Sequence, residues 1–98
     1  MPEDGRPYTL CVSETDYERA DLRLTRQWQK TLEYVSRTKG AEETERLRRS
    51  QDSWLRYREE RCNAVAESSP VAQSGRNAMS CLAQVTDART AELASMVR

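Results

Sequence analysis

Residues 51–62 read QDSWLRYREERC, and the reading of this stretch decides the fold. Gln51, Trp54, Arg58 and Cys62 stand three, four and four residues apart, which places them on one side of an α-helix. Leu47, Leu55 and Val65 fall on that side too. An arginine within an apolar stripe needs partners from elsewhere in the chain, because an unpaired buried charge is costly. The segment therefore predicts a helix packed against others.

Working outward, this helix starts near Ala41, with Glu42, Glu43 and Glu45 where negative charge suits the helix dipole. It runs to Val65 or Ala66, and Ser68-Ser69-Pro70 breaks it. Upstream, Tyr17, Ala20, Asp21, Leu24, Trp28, Thr31, Leu32 and Val35 keep the rhythm of a buried helical face. A capping box, Ser13 with Asp16 or Thr15 with Glu18, opens that first helix, and Lys39-Gly40 closes it. A third helix is expected over Asn77–Val97, its stripe being Ala78, Cys81, Leu82, Val85, Arg89, Leu93 and Met96. Val71–Asn77 stays open between loop and a short turn capped by Ser69. With no strand alternation, the expected fold is all-α: a three-helix antiparallel bundle. Residues 1–12 form a flexible lead-in and 13–98 a single helical domain.

Each stripe holds one ionisable residue: Asp21, Arg58 and Arg89. The expectation is that Asp21 pairs with Arg58 or Arg89 and that Trp54 covers a guanidinium. A structural role for this group is weighed against a ligand-binding one. Cys62 closes the second helix and Cys81 opens the third, so antiparallel packing brings them to disulfide range. Two reduced thiols in a cytosolic protein are the alternative. Leu and Val together are only 14 of 98 residues, with no Ile and no Phe, so a covalent staple would matter to so thin a core. Cys11 is left over, either free or linking a dimer.

Composition narrows function by exclusion. Sixteen basic and sixteen acidic side chains cancel, and they do so locally as well, so no basic face for nucleic acid is expected. Histidine is absent, which removes the commonest general base and metal ligand, and three cysteines without a CxxC pair give no zinc pattern. Glu42-Glu43 and Glu59-Glu60 are adjacent and diverge around a helix, so no catalytic pair forms. The expectation is no enzyme, no cofactor, no metal and no transmembrane segment.

The ordered set Ala20-Asp21-x-x-Leu24, Leu47-x-x-x-Gln51-x-x-Trp54-x-x-x-Arg58-x-x-x-Cys62 and Cys81-Leu82-x-x-x-Thr86-x-x-Arg89-x-x-x-Leu93 resembles the LprI-type lysozyme-inhibitor family. That family comprises small, exported, cysteine-bearing helical domains of bacteria. The likeness covers residues 9 to 95. The chain departs from the family pattern at Leu24-Thr25 and Trp28, and in the Ser68–Gly75 loop. It also lacks a cysteine upstream of Cys11.

The resemblance implies a Cys62–Cys81 disulfide, with Asp21, Gln51, Trp54, Arg58, Thr86 and Arg89 as the structural motif of the fold. It further implies a periplasmic or otherwise extracytoplasmic location, a precursor with a signal peptide or lipid anchor, and a protein partner, with lysozyme the named candidate. Groups available to such a partner are Glu42, Glu43 and Glu45 at one end, and Glu67, Ser68 and Ser69 at the other. The glutamates read equally as solvated surface. The alternative function is a helical adaptor or assembly module of the bacterial envelope, as a monomer or a Cys11-linked dimer.

Overall fold

The computed structural model describes the backbone of residues 8–98 and the side chains of residues 15–98. Three helices follow one another: α1 (Tyr8–Thr38), α2 (Ala41–Ser68) and α3 (Val71–Ser95). There is no strand among the described residues. The 31 residues of α1 span about 46 Å at 1.5 Å per residue, and they set the long dimension of a 50 × 27 × 18 Å rod.

Side-chain pairings fix the directions. Cys62 faces Cys81 and Arg58 faces Thr86, so α2 and α3 are antiparallel. Arg23 meets Asp87 and Thr31 meets Leu93, so α1 and α3 run parallel. The α1–α3 contact is the most extensive in the molecule and the α1–α2 contact the thinnest, although α1 and α2 are joined by a two-residue turn. Thus α3 is the common partner of the other two helices.

The core holds Ala20, Leu24, Val35, Leu47, Trp54 and Leu93, with Trp28, Leu32, Tyr34 and Val85 packed at its margin. Apolar residues alone do not fill it. Thr31 and Thr86 are wholly buried, and Thr31 donates to the Leu93 carbonyl at 2.9 Å. That carbonyl lies in the last turn of α3 and also accepts from the Met96 N–H at 3.2 Å, which leaves its second lone pair for a partner outside the helix. A threonine of α1 therefore caps α3 from outside. Gln27 donates in turn to the Thr31 hydroxyl at 3.1 Å.

Two helix starts differ from expectation. α1 begins at Tyr8, not Ser13, because Tyr8–Val12 contains no breaker and continues the helix backwards; the expected capping residues lie inside it. α3 begins at Val71, with Pro70 at the cap position and no side-chain cap. Ser69 does not cap it: its hydroxyl donates to the Val65 carbonyl at 2.6 Å and accepts from Asn77 at 2.9 Å. Two stripe residues also fail to bury. Leu55 is 41% exposed at the thin α1–α2 seam, and Met96 lies just past the last turn of α3. Residues 1–7 and the side chain of Cys11 lie outside the described residues.

The cysteine pair is the covalent staple. Cys62 and Cys81 are bonded, with Cα atoms 5.5 Å apart, and they close a loop over a sequence separation of 19. In the chain-entropy account such a loop contributes about 3 kcal/mol. At the opposite end, Gly40 takes φ 91° and ψ −179°, an extended conformation with positive φ rather than the left-handed helical cap anticipated.

Three outcomes are expected. Peptide mapping after alkylation should find Cys62 and Cys81 protected until the protein is reduced, and reduction should lower denaturant-measured stability by about 3 kcal/mol. Gly40→Ala should destabilise by about 1–3 kcal/mol through backbone strain alone, since an added Cβ there meets nothing within 4 Å. Gly75→Ala, inside α3 and equally unobstructed, should stabilise by roughly 0.5–1 kcal/mol.

Candidate functional site

The polar residues of the three stripes converge on Trp54, whose ring is buried in α2. The Arg58 guanidinium lies over that ring at 4.9 Å, and that of Arg89 lies 6.0 Å from it. Arg58 also approaches the Tyr17 ring at 5.7 Å. One nitrogen of Arg58, Nη1, donates both to Asp21 Oδ1 at 3.3 Å and to Thr86 Oγ1 at 3.1 Å, so this side chain reaches all three helices. Arg89 takes different partners. Its Nε donates to Gln51 Oε1 at 2.9 Å and its Nη2 to Ser50 Oγ at 3.1 Å, while Glu92 stands 3.7 Å away. Asp21 therefore belongs to Arg58, and Arg89 is held largely by neutral acceptors of α2.

This division follows burial. The Arg89 side chain is only 7% exposed, and its charge is spread over hydrogen bonds and an aromatic face. Asp21 is half exposed, so its ion pair with Arg58 is screened by water and worth little. The cation–π contacts add about 0.5–2 kcal/mol each. No buried side-chain polar atom is left without a partner among the described residues. The six motif residues are thus joined through Trp54 into one network that runs from the buried Arg89 to the half-exposed Asp21.

Sequence reasoning missed part of it. Tyr17 and Ser50 join the network, and a bidentate Arg23–Asp87 pair, with contacts of 2.9–3.2 Å, ties α1 to α3 on the surface. Nothing in the spacing of Arg23 marks that partner 64 residues away.

The residues proposed for partner binding do not come together. Glu42 and Glu67 are 25 positions apart on α2, about 37 Å along its axis, at opposite ends of the rod. Glu42 and Glu43 are both paired to Arg46, at 3.1 and 2.9 Å, which leaves little uncompensated charge there. Glu45 lines a groove between α1 and α2 together with Asp21, Arg48, Asp52 and Arg58. The other end differs in kind. From Cys62 to Gly75 the only charged side chain is Glu67, and it is exposed. Ser68 and Ser69 both donate to the Val65 carbonyl, and Val71 is 94% exposed beyond them. Among the described residues no group of His, Cys, Asp or Glu could hold a metal ion, and no helix is long and apolar enough to cross a membrane.

These features define a class: a small helical bundle stapled by one disulfide, with an arginine–tryptophan interior and a rigid turn at the stapled end. The family model of the lysozyme inhibitor LprI matches residues 8–93. The chain belongs to that family. Neither curated proteins nor solved structures gave a match.

The two arginines should respond differently from their acid. Denaturant titration should show Asp21→Asn costing less than about 1 kcal/mol, as for an exposed pair. Arg89→Ala should cost about 3 kcal/mol, because two charge-assisted hydrogen bonds are lost.

Proposed function

We propose that this protein is a non-catalytic, extracytoplasmic inhibitor domain that presents its α2–α3 corner to the cleft of a lysozyme. Membership of the LprI family supports the partner, and the disulfide supports an oxidising compartment. One observation carries the choice of surface. The corner is held in shape from behind, Ser69 being fixed between the Val65 carbonyl and the Asn77 amide, while Glu67, Ser68 and Val71 remain outside. A convex, pre-ordered turn loses little conformational freedom on entering a concave site. Its single carboxylate suits a cationic enzyme, and the hydroxyls offer hydrogen bonds to a polar cleft. Glu42 and Glu43, already paired with Arg46, act as solvated surface on this reading.

A net charge of zero removes the long-range attraction that speeds charged partners together, and this favours the second reading, a helical adaptor or assembly module. Clearing of a cell-wall suspension by a panel of lysozymes, with and without a molar excess of the domain, separates the two. Slowed clearing is expected from the inhibitor, with Glu67→Lys and Val71→Asp each weakening inhibition at least tenfold and Glu42→Lys leaving it intact. Clearing that is unaffected across the panel would leave the adaptor reading.

A further inference from the structure

A long recess lies elsewhere, along the seam between α2 and α3. It has a volume of about 810 Å³ and extends from Val65 and Asn77 at the corner end to Ser50 and Glu92 at the other. Ser50 and Val65 are fifteen positions apart on α2, so the groove is about 22 Å long. Its chemistry stands out against a chain one-third of whose residues are charged. The α3 wall consists of Asn77, Ser80, Cys81, Gln84, Val85 and Ala88 before it reaches Arg89, with no charge among those six. The groove between α1 and α2 is different, lined by Asp21, Glu45, Arg48, Asp52 and Arg58.

We propose that the α2–α3 groove binds a neutral oligosaccharide, a second site separate from the corner and independent of whether a lysozyme is bound there. Four polar side chains that line it have no hydrogen bond or ion pair among the described residues: Tyr57, Arg61, Ser80 and Gln84. Ser80 is the telling one. Ser74, Thr90 and Ser95 of the same helix turn their hydroxyls back onto backbone carbonyls, whereas Ser80 does not. Its hydroxyl is left for a ligand. Tyr57 is half exposed and offers a ring on which a sugar face can lie, and Trp54 also belongs to the groove lining. Gln84 and Arg61 supply amide and guanidinium donors for hydroxyl or acetamido oxygens.

Other occupants fit less well. Arg89 is committed to Gln51 and Ser50, so among the described residues lining the groove Arg61 alone is left to meet an anion, too little for a polyanionic chain. A peptide helix would need a row of apolar anchors, and the α3 wall supplies amides, a hydroxyl and one valine.

The test uses the whole oxidised chain and no lysozyme, so its failure says nothing about the corner. Isotope-labelled protein is titrated with the soluble β-1,4-linked tetramer of N-acetylglucosamine, and separately with cellotetraose, while amide and indole resonances are followed. Saturable shifts of Ser80, Gln84, Tyr57 and the Trp54 indole, with Trp28 unmoved, are expected from at least one of the two sugars. A response to the acetamido sugar alone would assign the acetamido group as the feature read. Tyr57→Ala and Gln84→Ala should each weaken binding at least tenfold with an unchanged helical circular dichroism spectrum, since both side chains are largely in solvent. Absence of saturable shifts with both sugars, equal binding by the two variants, or shifts centred on Trp28 would overturn the proposal. So would the same groove shifts on concentrating the protein without sugar, which would assign the groove to a second copy.

Discussion

A guanidinium laid on an indole is the contact around which this molecule is organised. Trp54 is the one large aromatic side chain in the buried core, and both of its charged neighbours, Arg58 and Arg89, are anchored on other helices. A core with so few aliphatic residues cannot specify the register of three rods by shape alone. Directional hydrogen bonds do that work here. Arg58 reaches α1 through Asp21 and α3 through Thr86, while Arg89 returns from α3 to α2 through Gln51 and Ser50. The cysteine bond lies one helical turn beyond Arg58 and reinforces a register already set by polar contacts.

Much of this was legible in the spacing of Gln51, Trp54, Arg58 and Cys62. A helical face that mixes an indole, a guanidinium and a thiol is intelligible only if each meets a partner, and the stripes of the neighbouring helices contained the acid and the second thiol. The three helices, the antiparallel α2–α3 hairpin, the disulfide and an Asp21–arginine pair could all be read from that, while the choice between Arg58 and Arg89 could not. The helix starts could not. Tyr8–Val12 and Val71–Asn77 carry no clear stripe in the sequence, and each continues a helix whose pattern is plain only further along. The parallel α1–α3 contact was also hidden, because a local pattern reports which face is buried and not which helix buries it. Leu55 illustrates the limit: it keeps the rhythm of its stripe but falls at the seam where α1 and α2 barely touch.

The candidate surfaces were less legible than the fold, for a related reason. Acidic residues at Glu42 and Glu43 look available in sequence, yet Arg46 one turn later takes both. Ser69 looks like a cap for the following helix, yet it serves the end of the preceding one and holds the corner rigid. The proposal for Glu67, Ser68 and Val71 rests on subtracting these local commitments, which the sequence does not display. Of the motif residues, Trp54, Thr86 and Arg89 are buried, Gln51 and Arg58 are partly so and Asp21 is half exposed, so their main visible work is to hold the scaffold together.

The order of the helices along the rod has a kinetic corollary. The main partner of α1 is the last helix, reached through contacts 62 to 64 residues distant in sequence, whereas α2 and α3 meet across a short turn. A chain emerging from its amino end would thus hold a 31-residue amphipathic helix without its main partner until α3 has formed. The hairpin that carries both bonded cysteines can close first and offer α3 as a finished template. Oxidation of that hairpin is then an early event, and the docking of α1 the late, rate-setting one.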